Sequence, residues 1–205
     1  MARIVLSVPA DEQVHAKRLA ARWDAVDKVW YVPTDVDTMP FLKWLPPAPI
    51  NVRSPSYFFA QSLRVCWRCT AETWVYGFAL PAGYEPLYVA DDPLDDTWER
   101  QDEPGFVYYI EYLAPSVGFT VCAQTPHYRF GFDPTNEGYY WVSYCDGCSA
   151  ALDDSESFCE PGIAFSPTTC VDATHVALRQ INEPFAASCF GHSLDIELFN
   201  KMYKC

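Results

Sequence analysis

Near the start of the chain Ile4, Leu6 and Val8 alternate with other residues and Pro9 stops the run, which predicts a short strand with one buried face. Asp11 and Glu12 favour a helix start through capping and the dipole. Ala16, Leu19, Ala20 and Trp23 then recur at the i, i+3, i+4, i+7 spacing of a buried helical stripe, with Lys17, Arg18 and Arg22 largely outside it. A turn at Asp24 to Asp27 leads to a second strand, Val29 to Val32, ended by Pro33. Met39 to Leu45 is one more helical turn, and Pro46-Pro47 marks a boundary. Residues 1–46 thus read as a small β-α-β domain, too small to be stable alone, so it is expected to dock on the rest.

From residue 51 the pattern turns mostly to β. Tyr57 to Val65, Trp74 to Leu80, Phe106 to Tyr112, Val117 to Cys122, Tyr128 to Phe132 and Gly138 to Tyr144 are short runs of aromatic and branched residues punctuated by Gly, Pro, Asp and Asn. His175 to Ile181 is a further candidate strand, and Ser193 to Tyr203 a closing helix. Seventeen prolines against nine glycines argue for short elements and stiff turns. The expected fold is α+β: a β-α-β segment packed on a mainly antiparallel, β-rich domain spanning residues 47–205.

Composition sharpens this. Half of the 205 residues are apolar and 16% aromatic, ample for a sizeable core. The longest apolar stretches, such as Phe106 to Ile110 and Tyr139 to Val142, are too short to span a bilayer. The N-terminal MARIVLSVPADEQ lacks the features of a secretion signal, so the expected compartment is the cytoplasm, where thiols stay reduced. Charge divides unevenly. Residues 1–46 hold six basic and six acidic groups, whereas the rest hold eight and twenty-one, the whole net charge of −13. Such a field repels nucleic acid and anionic lipid and attracts basic partners.

Two Cys-x-x-Cys pairs, Cys66-Trp-Arg-Cys69 and Cys145-Asp-Gly-Cys148, carry the strongest chemical signal. Two residues between cysteines let both thiolates of one turn reach a single tetrahedral ion, and a second turn completes four-coordination. Seventy-five residues separate the turns, so each knuckle is expected at a strand end, with the sheet bringing them together. Four soft ligands and no open position point to structural zinc. The competing reading is a redox pair, but a thioredoxin-type site uses one pair within a βαβ pattern.

Two resemblances accompany these patterns. The N-terminal V-P, A-K-x-L-x-A-R-W-D and K-x-W-Y-V-P run, from Val8 through Ala16, Lys17, Leu19, Ala21, Arg22, Trp23 and Asp24 to Lys28 and Trp30–Pro33, is similar to a small bacterial domain family of unknown function. Its members occur beside conjugative-plasmid primases. The resemblance implies a fold and no activity, and it leads one to expect glycine where this chain has Ala20. The second covers Cys66 to Val75 and Gly138 to Pro167. It resembles a bacterial zinc-ribbon-like architecture often fused to that same domain, and implies zinc at the same four cysteines. It departs at Ser143 and Ser149, which bear on the ligands' surroundings.

The remaining chemistry is sparser. Cys122, Cys159, Cys170, Cys189 and Cys205 show no ligand spacing and read as buried free thiols. His127, His175 and His192 offer ligands for a second site, but Cys189 with His192 is a weak signal and a structural role is favoured. No G-x-S-x-G, H-E-x-x-H, phosphate loop or deaminase H-x-E is present. The run from Asp91 to Glu103 holds seven acids and one base. It reads either as a solvated loop or as a surface for a cationic partner, made of Asp91, Asp92, Asp95, Asp96, Glu99, Asp102 and Glu103 with Trp98 as an aromatic anchor. Asp153, Asp154, Glu156 and Glu160 add a second acidic group near the knuckle. These features lead to the expectation of a non-catalytic acidic protein that neutralises a toxin with a basic nucleic-acid-binding surface, itself contacting neither nucleic acid nor membrane. The alternative is a nucleic-acid-associated zinc-ribbon accessory protein of a mobile element, with Lys17, Arg18, Arg22, Lys28 and Trp30 as contacts. A third is an enzyme using Cys159 or Cys189.

Overall fold

A computed structural model describes residues 3–33, 36–91, 93–193 and 196–205. The chain opens with β1 (Arg3–Leu6), a 3-10 turn at Ala10–Glu12, α1 (Gln13–Arg18), β2 (Arg22–Asp24) and β3 (Val29–Pro33). The strands form an antiparallel sheet in the order β1-β3-β2. The helix is shorter than its stripe suggested. Ala20 sits at φ 75°, Ala20 N–H bonds the Lys17 carbonyl at 3.1 Å and Ala21 N–H reaches back to Ala16 at 3.0 Å. That bond pair is a Schellman cap, with Ala16 and Ala21 both buried in the core. It ends the helix before Trp23, which instead lies half-exposed on β2 with its ring 5.6 Å from Trp30.

Beyond a 3-10 turn at Met39–Trp44 the strands are β4 (Val52–Ser54), β5 (Tyr57–Val65), β6 (Glu72–Leu80), β7 (Glu85–Tyr88), β8 (Thr97–Trp98) and β9 (Gly105–Leu113). Helix α2 (Pro115–Cys122) precedes β10 (Tyr128–Asp133), β11 (Gly138–Tyr144) and β12 (Ala151–Leu152). Short helices α3 (Asp154–Phe158) and α4 (Cys170–Ala173) lead to β13 (Ala177–Ile181), β14 (Phe185–Ser193), α5 (Ile196–Phe199) and β15 (Tyr203–Lys204). The main path runs β15-β13-β5-β6-β9-β14-β4-β7-β8, with β11 joining β9 and carrying β10 and β12. All pairings among the described strands are antiparallel except β13 with β15.

Both faces of the central strands are covered, which explains the unalternating aromatic run at Tyr57–Ala60. Tyr57 and Phe59 join one core cluster with Phe78, Tyr128, Trp141 and Phe185, and Phe58 and Ala60 join another with Phe106, Phe158, Phe165 and Leu178. The first cluster also takes in Ile4, Leu6, Val32, Phe41, Leu42 and Trp44, so the small sheet and the β-rich part share one core. Thr38 fastens the junction by donating its hydroxyl to the Phe130 carbonyl at 2.5 Å. On the other side Phe158 of α3 lies on β6 at Gly77, where a Cβ would come within 2.5 Å of its ring.

Two expected elements differ. Val117 to Cys122 is helical, not a strand. Pro115 occupies the first turn, where its missing N–H costs nothing, and Val117 and Val121 are both buried at i, i+4. Within Ser193 to Tyr203 the helix shrinks to one turn, and the chain returns as β15 beside β13. The nine-residue β14 carries Ala, Ser and Gly without alternation, and pairing with β9 stabilises it.

Candidate metal centre

Each Cys-x-x-Cys pair occupies the turn of a β-hairpin, the first between β5 and β6 and the second between β11 and β12. The two turns are built alike. Cys66 N–H donates to Ala71 O and Thr70 N–H to Cys66 O, both at 2.9 Å; Cys145 N–H donates to Ala150 O and Ser149 N–H to Cys145 O, again at 2.9 Å. Thr70 and Ser149, each directly after the second cysteine, take φ values of 60° and 55°. This left-handed step closes the turn.

Polar side chains hold the hairpins together. The Trp67 indole donates to Ala151 O at 2.9 Å, and the Thr73 hydroxyl accepts from Asp146 N–H at 3.0 Å. The Ser143 hydroxyl accepts from Tyr76 N–H at 2.9 Å and donates to Tyr76 O at 3.3 Å. The serines at 143 and 149 therefore serve the hairpin frame and leave the sulfurs free.

All four ligand sulfurs gather within 4.8 Å of one another. Cys66 Sγ lies 3.7 Å from Cys148 Sγ, and Cys69 Sγ 3.6 Å from Cys145 Sγ. Four thiolates at about 2.3 Å from one tetrahedral ion stand about 3.8 Å apart. The donor set can hold a metal ion. Burial opposes ionisation of Cys145, but the N–H groups of Cys148 and Gly147 and the thiols of Cys69 and Cys66 outweigh it and bring the thiol down to about 6. Cys148 is pushed to about 12: the Ala150 N–H favours its thiolate, yet burial and the three neighbouring sulfurs prevail. Four crowded thiols share few charges until a cation neutralises them.

The two acidic groups part company. Asp91, Asp95, Asp96, Glu99, Asp102 and Glu103 are exposed, while Asp92 lies outside the described residues. Trp98 is half-buried, paired opposite Leu87, with the Arg53 guanidinium 4.2 Å over its ring. It is thus already engaged within the chain. In the second group, Asp153 and Asp154 are buried, which corrects their reading as surface acids. Asp153 caps α3 by accepting from Ser155 N–H at 3.1 Å, and its carboxylate also accepts from Tyr109 OH at 2.9 Å and Asn136 Nδ2 at 2.6 Å. Asp154 accepts from Tyr109 N–H at 2.8 Å, which leaves the sheet because Tyr109 adopts φ 51°. Asp133, fully buried, takes hydrogen bonds from Tyr140 OH and Asn136. Burial, and after it the charges of Asp153 and Asp133, hold the Asp154 carboxyl up to about 8. The sequence gives one local hint of this network, an Asp at a helix start. The rest depends on a fold that brings residues 109, 133, 136, 140 and 153–154 together.

Glu156 remains at the surface, paired with the Arg64 guanidinium, which is buried and also donates to Ser157 Oγ at 3.0 Å. Burial raises the thiols of Cys122 to about 11 and Cys189 to about 12. His127 faces Asp146 at 3.5 Å beside the second knuckle, His175 is exposed, and the His192 side chain lies outside the described residues. Among the described side chains no cysteine hydrogen-bonds a histidine. No described helix is long and apolar enough to cross a membrane.

Residues 3–46 match the model of a family described as "Domain of unknown function (DUF5710)". Over 42 residues the chain is 50% identical to one DNA primase TraC from Escherichia coli and 48% identical to another. Each match covers 20% of this chain but only 4% and 3% of those relatives, so the chain spans a small fraction of their length. No solved structure matches it. The N-terminal three-stranded sheet is therefore a DUF5710 domain, shared with DNA primase TraC and joined here to a β-rich part whose four-cysteine cluster can hold a metal ion.

Proposed function

We propose that this chain is a cytoplasmic, non-catalytic binding protein, stabilised by zinc, that neutralises a basic nucleic-acid-acting partner. An immunity protein against a secreted antibacterial nuclease toxin, as in type VI secretion, is its most specific form. Zinc follows from a donor set of four thiolates with no open position. The observation that carries the partner reading is the loop from Asp91 to Glu103. Its six described acids are exposed, and none of them forms an ion pair among the described residues. A nuclease must be positive where it holds phosphates, and a strongly acidic inhibitor is steered to that surface and competes for it. Because Arg53 already covers one face of Trp98, charge in this loop outweighs aromatic anchoring.

The test is co-purification from the native host, followed by association kinetics at two ionic strengths. Charge reversal at Asp91, Asp95 and Asp96 is expected to slow association at least tenfold at low salt and little at high salt. An acidic partner, or rates indifferent to both changes, overturns this reading.

A second reading, an accessory protein of a mobile element that contacts nucleic acid, is favoured by the similarity to DNA primase TraC. It is also favoured by the exposed Lys17, Arg18, Arg22 and Lys28 of the same small domain and by the half-exposed Trp23, which packs against Trp30. Salt-sensitive DNA binding lost in Arg22→Ala and Trp23→Ala would put it first. The acidic remainder leads us to expect none at physiological salt.

A further inference from the structure

Strand β5 is covered on one side only as far as Gln61. There β13 begins, pairing Ala177 with Gln61 and running back to Ile181 opposite Tyr57. On its other side β5 stays paired with β6 through Val65. The Cys66 N–H bond to Ala71 O sets the phase of that hairpin. Cys66, Arg64 and Ser62 spend their backbone groups on β6, whereas Val65, Leu63 and Gln61 turn theirs outward. Gln61 finds β13. Leu63 and Val65 find no backbone partner on that side among the described residues.

This open edge lines a groove of about 540 Å³ that runs to the first knuckle, with Gly162–Ala164 and Glu156 among its other lining residues. Leu63, Val65, Trp67 and Ile163 along it are each between 37% and 58% exposed. Natural edges are usually blunted by an exposed charge, a proline or a bulge. Leu63–Val65 has neither proline nor bulge, and its one charge, Arg64, is buried and paired with Glu156. A cluster of large apolar side chains around unspent backbone groups is the form taken by sites for strand addition.

We propose that this edge binds an extended segment of a partner chain, apolar at alternate positions and carrying lysine or arginine between them. Two donors and two acceptors at Leu63 and Val65 pair with its backbone over roughly four residues. Charge chooses the occupant. Arg64 beneath the groove is already neutralised by Glu156, Glu72 at one end and Glu160 in the far turn are exposed and without an ion pair among the described residues, and Arg68 on the knuckle is the counter-charge. A second copy of this chain would add another −13 against the same acids. The proposal shares with the function above only the partner's positive charge. The acidic loop flanks β8 on both sides, six strands away along the sheet order, so the two surfaces fail separately.

The experiment pans a random eight-residue peptide library on the zinc-loaded full chain and measures the best synthetic peptide by fluorescence anisotropy. Enrichment of alternating apolar-basic sequences is expected. Methylating alternate backbone nitrogens of that peptide should weaken binding at least tenfold for one of the two alternating sets and little for the other. Val65→Pro removes an outward N–H that the β5–β6 ladder does not use. It should weaken binding at least tenfold with metal content unchanged, while charge reversal at Asp91, Asp95 and Asp96 leaves the affinity within twofold. No enrichment, acidic consensus sequences, or affinity indifferent to both methylation sets overturns the proposal. So does a Val65-dependent dimer in sedimentation, which would make a second copy the occupant. If Val65→Pro loses its metal, the methylated peptides alone decide.

Discussion

The two parts of this molecule reach stability by different means. The DUF5710 segment is neutral and closes by burying aromatic and aliphatic residues, with Trp44 as its largest buried side chain and Glu12 bonded to both the Trp44 indole and Lys43. The β-rich part carries all of the net charge. It keeps Asp133, Asp153 and Asp154 inside and gathers between its two knuckle hairpins four sulfurs that can hold a metal ion. Apolar burial tolerates gradual change, whereas a metal junction and a buried carboxyl network depend on protonation and ligand supply. The same chain should thus answer differently to chelation, truncation of the core and pH.

The largest effect is expected at the junction. A bound structural zinc contributes on the order of 10 kcal/mol to folding. Cys66→Ser or Cys145→Ser should therefore lose stoichiometric zinc and open the two knuckle hairpins first. Hydrogen exchange after chelation should deprotect the β5–β6 and β11–β12 hairpins before β1–β3. Simultaneous loss in both parts would mean that they share one source of stability, and one zinc per chain retained in both variants would remove the four-cysteine assignment.

Trp44→Ala is the converse, expected to cost about 3–5 kcal/mol. Trp44 is 1% exposed within the core shared by the two parts. Its loss should make residues 3–46 sensitive to limited proteolysis while zinc content holds. Metal loss on this substitution would mean that the small sheet supports the junction directly.

Asp154 supplies a pH signature. Its folded carboxyl titrates near 8, against about 4 when unfolded. Between those values the folded chain keeps a proton that the unfolded chain has released. The contribution is thus fully present below about pH 4 and is lost as pH rises toward 8, by about 1.4 kcal/mol per unit. Asp154→Asn keeps an acceptor for Tyr109 N–H and should remove that slope. Urea midpoints of the two proteins should differ little at pH 5 and most at pH 8, with the variant the more stable; the comparison cancels the cysteines' own pH dependence. Parallel curves would mean that Asp154 is ionised in the fold.

What the sequence made legible follows from range. Strands β5, β6, β9, β10 and β11 stand within two residues of their apolar runs because one short window carries each pattern. The cysteine spacing is a local signal twice repeated, and only its 75-residue separation required the sheet. Helix α2 escaped because Val117, Phe119, Thr120 and Val121 are strand-favouring residues that outweighed the proline start. Strand β14 escaped because its reason for being extended is β9, not its own residues. Asp153 and Asp154 look like surface charge beside Glu156. Their burial depends on tyrosines and an amide 13 to 45 residues away.

The smallest expected effect tests the local end of that scale. Ala20 occupies the C′ position of the Schellman cap at φ 75°, where an L side chain crowds the following carbonyl at a cost of about 1–2 kcal/mol that glycine avoids. Glycine also gives the unfolded chain more freedom, which returns about 0.4–1 kcal/mol of that gain. Ala20→Gly should therefore stabilise the protein by about 0.5–1 kcal/mol and raise Tm by about 1–4 °C. Ala21, the next residue, is buried in the core and should tolerate no such change. If Ala20→Gly lowered Tm, the helix would have to continue past Arg18 in solution. Trp23 would then rejoin the buried stripe that its spacing suggests, and the exposed Trp23–Trp30 pair would be lost with it.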